Sequence, residues 1–141
     1  MRKILLTIVF ALFAMPLFAK DVVVNSDDAM KFDVSEIKVK AGEEINLTLN
    51  HTGKLAKDVM GHNFVVLAQG TDVKAFSNAA IQAKANDYIP EGSDSVLAHT
   101  KVIGGGESDS ITFTLKDKGT YEFICSFPGH SFMMKGVIIV E

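Results

Sequence analysis

Near its C-terminus the chain reads Cys125-Ser-Phe-Pro-Gly-His130-Ser-Phe-Met-Met134, placing a thiol, an imidazole and a thioether in one short segment. Upstream, Gly61-His62-Asn63 offers a second imidazole. Thiolate and thioether are soft donors that favour Cu(I), whereas imidazole suits both oxidation states of copper. Two His and one Cys in a plane, with a weak and long axial Met, form the ligand set of a blue-copper electron-transfer site. Such a compromise geometry lets an electron move with little nuclear rearrangement. Taken singly, each residue has a plainer role: a lone Cys is a small buried hydrophobe, a lone His is satisfied by a carbonyl, and a Met fills core space. The combined spacing Cys-x4-His-x3-Met, with Gly-His-Asn upstream, outweighs those readings.

Positioning these ligands falls to short alternating runs between turn signals, the pattern of an antiparallel sandwich. Val22 to Asn25 begins the series. Ile37 and Val39, then Ile45, Leu47 and Leu49, share faces, with Ala41-Gly42 as the expected hairpin turn between them. His62 to Leu67 is a continuous apolar run, expected to be covered on both faces. Ile111, Phe113 and Leu115 alternate next, then Tyr121, Phe123 and Cys125, with Lys118-Gly119 turning one strand into the other. Val137, Ile139 and Glu141 close the chain. Cys125 therefore ends a strand, His130 lies in the loop after it, and Met134 precedes the last strand. One stretch breaks the pattern: Val73, Phe76, Ala79, Ala80 and Ala83 are spaced like a helix face, with Asp72 at its start and Pro90 beyond its end. This predicts a helical flap over roughly 71–90, outside the sandwich. Gly104-Gly105-Gly106 reads as a tight loop, because no helix follows it to make a phosphate cradle.

The whole chain has 141 residues, 48% of them apolar, and a formal net charge of −3. Arg2 and Lys3 precede an uncharged apolar run from Ile4 to Phe18, the form of a signal peptide cleaved after Ala19. Residues 20–141 then form a single domain. Removing Arg2 and Lys3 leaves 12 basic residues against 17 acidic, a net charge of −5. No basic stripe exists to neutralise phosphates, which argues against nucleic acid. No second apolar run of about 18 residues follows, which argues against a membrane span. Cys125 is the one cysteine, so no internal disulfide can form.

The chain resembles the azurins, bacterial members of the cupredoxin family, over essentially all of Asp21 to Glu141. The motifs are His51-Thr-Gly-Lys-Leu-Ala-Lys-Asp-Val-Met-Gly-His62-Asn, Ala98-His99-Thr-Lys-Val-Ile-Gly-Gly-Gly-Glu107 and Cys125-Ser-Phe-Pro-Gly-His130-Ser-Phe-Met-Met134-Lys-Gly. Four residues between Cys and His is the azurin spacing, whereas plastocyanin and pseudoazurin have two. The resemblance implies an all-β, Greek-key cupredoxin sandwich or barrel of about eight strands with one helical insertion. It implies one copper ion held by His62, Cys125 and His130, with Met134 as the axial sulfur and the backbone oxygen of Gly61 opposite. Asn63 then ties the two ligand loops together, and Phe127 packs beside the site. The edge of His130 is expected to emerge through an apolar patch formed by Met30, Leu55, Val59, Met60, Pro128 and Gly129, where redox partners dock. Candidate partners are c-type cytochromes, nitrite reductase or a peroxidase; the setting is the periplasm and the chain a monomer.

Two departures from the family stand out. The azurin disulfide is absent, a loss of about 3 kcal/mol that predicts a less stable apo form. Phe64 stands where many azurins have a buried Trp, filling similar space without an indole N–H. His51 matches a position beside the site that titrates with redox state in azurins; its plainer role is a satisfied core histidine. His99 reads as a surface residue. An enzyme would need an open metal position with further His nearby, and a copper-delivery protein would need exposed Met/His tracts; a metal-free binding module leaves the ligand spacing unexplained. Zinc in the site would reflect preparation, since His and Cys accept it.

Overall fold

The computed structural model describes residues 18–141. Most of the expected signal segment, residues 1–17, lies outside the described residues. The elements in chain order are β1 (Ala19–Ser26), β2 (Glu36–Val39), β3 (Glu44–His51), α1 (Lys57–Met60), β4 (Val65–Leu67), α2 (Val73–Ala80), β5 (Val96–His99), β6 (Ser108–Thr114), β7 (Gly119–Ile124) and β8 (Lys135–Val140). They form an all-β sandwich of two sheets, ordered β1-β3-β6 and β2-β8-β7-β4-β5. Between the sheets lie Val24, Ile37, Val39, Ile45, Leu47, Leu49, Phe64, Phe123 and Ile138.

The sheets are mixed rather than antiparallel. β1 runs parallel to β3, pairing Val22 with Leu47 and Val24 with Leu49. β2 runs parallel to β8. Side-chain alternation determines which face of a strand is apolar, and is silent on the direction of its neighbour. For the same reason Ala41-Gly42 is no hairpin. It carries the chain from β2 in one sheet to β3 in the other, held by Ala41 N–H to Glu141 O and Gly42 N–H to Leu115 O. Lys118-Gly119 likewise crosses from β6 to β7. In β8 the inward face is Ile138 and Val140, with Val137 and Ile139 only half-buried, the opposite phase to that expected.

The helical stretch exists but is not a flap. Asp72 caps α2 by accepting the Ala75 N–H at 3.0 Å, and the chain continues in a 3-10 turn, Ile81–Asn86. Asp87, with φ of 52°, stops it in the left-handed region. Phe76, Ala80, Tyr88 and Ile89 pack on Val65, Leu67 and Ile124, making a second core on the outer face of the larger sheet. β4 is therefore covered on both sides: Val66 faces the central core, Val65 and Leu67 the helical one. Among the described residues no helix is long and apolar enough to cross a membrane.

Candidate metal centre

The chain segments that leave β7 and precede β4 meet at one end of the sandwich. Cys125 follows the last residue of β7, and its N–H donates to Met134 O at 2.9 Å, closing the loop back to β8. Within that loop the Met134 N–H donates to His130 O at 2.8 Å and the His130 N–H to Phe127 O at 3.0 Å. His62 is pinned by a two-way backbone bridge to Ile103, at 3.0 and 2.8 Å. Gly61 has no room for a side chain, since a Cβ there would lie 2.5 Å from Lys57 O and 2.6 Å from Val102 Cγ1. Its carbonyl accepts no hydrogen bond from the described residues.

Three donors converge. His62 Nδ1 lies 3.2 Å from His130 Nδ1, and Cys125 Sγ lies 3.6 Å from His130 Nδ1 and 3.9 Å from His62 Nδ1. His62, Cys125, His130 and Met134 are all buried. An ion at about 2.0–2.1 Å from imidazole nitrogen and about 2.3 Å from thiolate sulfur spreads such donors about 3.3–3.8 Å apart in tetrahedral or trigonal geometry. The observed triangle has that size. The tautomer fits as well: the Asp27 carbonyl, which can only accept, lies 2.8 Å from His62 Nε2, so the proton sits there and Nδ1 is bare. The residues present therefore fit one copper ion.

Burial sets the protonation of this cage. It pushes the Cys125 thiol up to about 12, opposed in part by the backbone amides of Asn63 and Phe127. Burial also lowers His62 and brings His130 down to about 4, with the neighbouring imidazoles adding to the His130 shift. Both histidines are thus neutral at pH 7, as metal ligands must be.

Around the donors, Asn63 links the two ligand segments. Its Oδ1 accepts the Ser126 N–H at 2.8 Å, and its Nδ2 donates to Ser126 Oγ at 2.8 Å and to Asp87 O at 2.9 Å. Phe127 lies on His130 with ring centroids 4.6 Å apart, and Tyr88 meets Phe127 edge-on at 5.1 Å. His51 stacks on His62 at 4.5 Å and is fully satisfied: Gly53 N–H donates to its Nδ1 at 3.1 Å, and its Nε2 donates to Met60 O at 2.8 Å. It is the satisfied core histidine. His99 is half-buried on β5 opposite Val65 rather than free on the surface.

Of the expected apolar rim, Leu55, Val59 and Gly129 are exposed, while Met30, Met60 and Pro128 are half-buried. His130 itself is 3% exposed, a thin window. Phe132 and Met133, in the ligand loop, are 83% and 61% exposed and extend the apolar surface beyond what the sequence suggested. The sequence reading also missed the turn at Asp27 and Asp28. Asp27 orients His62, while the Asp28 carboxylate accepts the N–H groups of Lys54 at 2.8 Å and Leu55 at 3.2 Å, holding the rim loop. Those two hydrogen bonds, led by Lys54, keep the Asp28 carboxyl below its usual range. The triple glycine supports the same loop. A Cβ on Gly104 would lie 2.8 Å from Lys57 N, and one on Gly105 2.6 Å from Lys54 C. No short-range signal announces either contact.

Fold and site together define a cupredoxin with the ligand set of a type 1 copper centre. The family model for copper binding proteins of the plastocyanin/azurin family matches residues 19–141, and the chain belongs to that family. It is 46% identical over 125 residues to the azurin of Alcaligenes faecalis, covering 85% of this chain and 97% of that one. It is 47% identical over 120 residues to azurin-2 of Alcaligenes xylosoxydans xylosoxydans, covering 82% and 92%. Among solved structures, an azurin isoform of the methylotroph Methylomonas sp. strain J superposes with a TM-score of 0.79 at 32% identity, covering 86% of this chain and 98% of that one. Dithionite-reduced auracyanin of Roseiflexus castenholzii gives 0.77 at 33% identity, covering 88% and 98%.

Proposed function

We propose that this protein is a periplasmic one-electron carrier. Residues 1–19 direct export and are removed, and residues 20–141 act as a monomeric domain. The observation that carries the reading is the convergence of three buried donors, His62 Nδ1, Cys125 Sγ and His130 Nδ1, within 4.8 Å of one another. His62, Cys125 and His130 would hold the ion together with the Met134 sulfur, and the Gly61 carbonyl, which accepts no hydrogen bond from the described residues, would be a further oxygen donor to it. Copper, when bound, supplies a Cu(II)/Cu(I) couple. The chain's own contribution is rigidity: Asn63 locks the two ligand segments, and Asp27 holds His62 in the tautomer that presents Nδ1. A cage already shaped before metal enters asks for little rearrangement when the charge changes.

Electrons enter and leave by outer-sphere transfer at the thin His130 window, with Phe127 limiting water beside it. With these groups around the ion no position would be left for a substrate, so the protein would act as a carrier rather than as an enzyme. The apolar rim of Met30, Leu55, Val59, Met60, Pro128 and Gly129 makes weak, quickly exchanging contacts with redox proteins such as a c-type cytochrome, nitrite reductase or peroxidase. The test is a visible absorption spectrum after addition of Cu(II). An intense blue thiolate-to-copper band, absent from Cys125→Ala, is expected. A colourless protein, or copper binding equal in both forms, would overturn the reading.

A further inference from the structure

Every side-chain donor of the metal centre is walled off from solvent: His62, Cys125 and Met134 are 0% exposed and His130 is 3%. An ion on its way to the cage therefore meets other groups first. Few of them suit Cu(I), which favours sulfur and imidazole over carboxylate and carbonyl oxygen. Of the four histidines, His51, His62 and His130 are buried, and His99 is half-buried with its Nδ1 3.0 Å from Thr100 O. The one cysteine is buried. Lys54, Lys57, Asp58 and Lys135 are exposed near the rim, but they offer a protonated nitrogen or a hard oxygen. Among the described residues the exposed soft donor is Met133, at 61%.

Its thioether belongs to a wider pattern. Of the six methionines in the chain, Met1 and Met15 fall in the expected signal segment, and the other four all stand next to groups of the metal site. Met30 N–H donates to Asp27 O, the carbonyl that also holds His62 Nε2. Met60 precedes Gly61, and its carbonyl accepts from His51. Met133 N–H donates to His130 O at 3.0 Å, and Met134 follows it. Met30 and Met60 are half-buried. Leu55 and Val59 show that an apolar rim needs no sulfur; a thioether adds affinity for Cu(I) and binds it without losing a proton. We infer that Met133 is a Cu(I) acceptor on the outer wall, where an ion is first held before it enters the cage, with Met30 and Met60 as secondary thioethers of the same end. This rests on the copper reading of the cage and adds how the cage is filled and in which oxidation state. The loop thus carries one thioether outside the wall, Met133, and one inside it, Met134.

Two measurements test the site. In the first, the metal-free protein receives Cu(I) anaerobically as its acetonitrile complex, and unbound ion is trapped at set times as the coloured bicinchoninate complex. Met133→Leu should slow that uptake about tenfold, while uptake of Cu(II), read from growth of the blue band, changes by less than about twofold. Met133→His should restore Cu(I) uptake, because imidazole suits both oxidation states. Cu(I) uptake by Met133→Leu equal to that of the parent protein, equal slowing of both ions, or Leu and His variants that load alike would overturn the inference. Equal slowing would mean that the substitution had altered the loop rather than removed a soft donor. In the second, Cu(I)-loaded protein, its cage already filled, is titrated with Ag(I) as a redox-inert stand-in and followed through the methionine methyl resonances. The Met133 methyl should move most, Met30 and Met60 less, and Met134 not at all. A change led by Met134, or none at Met133, would overturn the site. Failure of the copper reading is separate, because the parent protein would then give no blue band with Cu(II) before any rate is compared.

Discussion

The two histidines of the metal centre occupy opposite kinds of surroundings. His62 is 0% exposed, stacked on His51, bridged to Ile103 and hydrogen-bonded through Nε2 to Asp27 O. His130 has its ring against Phe127, no protein hydrogen bond at Nε2 among the described residues, and a loop beside it that exposes Phe132 and Met133. One imidazole is fixed from every side, and the other keeps a side for the exterior. A carrier needs both: a fixed wall to hold geometry and a thin wall to pass charge.

The sharpest way to break that comparison is to remove each ring in turn. His62→Ala takes from the Asp27 carbonyl the shorter of its two hydrogen bonds, leaving the one from Met30 N–H at 3.2 Å, and opens a cavity under His51, so the apo-protein should lose about 3 kcal/mol in urea unfolding. His130→Ala loses packing against Phe127 and the 3.2 Å contact with His62 Nδ1 but no hydrogen bond to a backbone carbonyl, and should cost about 1–2 kcal/mol. Equal losses would mean that the walls are equivalent.

Asn63→Ala removes two hydrogen bonds between the walls, both with Ser126, and a third to Asp87 O, and should cost about 2 kcal/mol, with a shift of the blue band on copper loading. An unchanged spectrum would show that the loops are held without it.

pH probes the same cage. In the apo-protein His130 titrates near 4 against an ordinary 6.5, so the unfolded chain takes up that proton first and stability should fall as pH drops from about 6.5 to about 4. Cys125 has the opposite sign: the folded state keeps its proton up to about 12 against 9.0, so stability should fall as pH rises through that window. The same retained proton must leave when a thiolate ligates copper, and a pH-stat should record its release on metal addition at pH 7. Thermal melts across pH give the two limbs. The smallest structural effect is expected from Val59→Ser, at a residue 63% exposed. Stability should move by less than about 0.5 kcal/mol and the spectrum not at all, while the electron self-exchange rate falls severalfold.

Much of the centre was readable because it is local. Cys125, His130 and Met134 sit in one loop, and the hydrogen bonds that shape it run between residues 125 and 134. The helix was readable from Asp72 and the spacing of Phe76 and Ala80, although its packing on Val65 and Ile124 was not. The turns at Ala41-Gly42 and Lys118-Gly119 were legible as turns and illegible as crossings between sheets.

By itself, then, the sequence determined the donor chemistry, the loop that carries three donors, and the strands with apolar faces, all expressed within a few residues. The tertiary structure alone decided the use of His51, stacked 4.5 Å from His62 and closed by hydrogen bonds with Gly53 and Met60. It also decided the tautomer of His62, through a carbonyl 35 residues away, and the parallel pairing of β1 with β3. These outcomes depend on contacts between distant segments, and side-chain periodicity, which records only whether a face is apolar, carries no information about which partner will cover it.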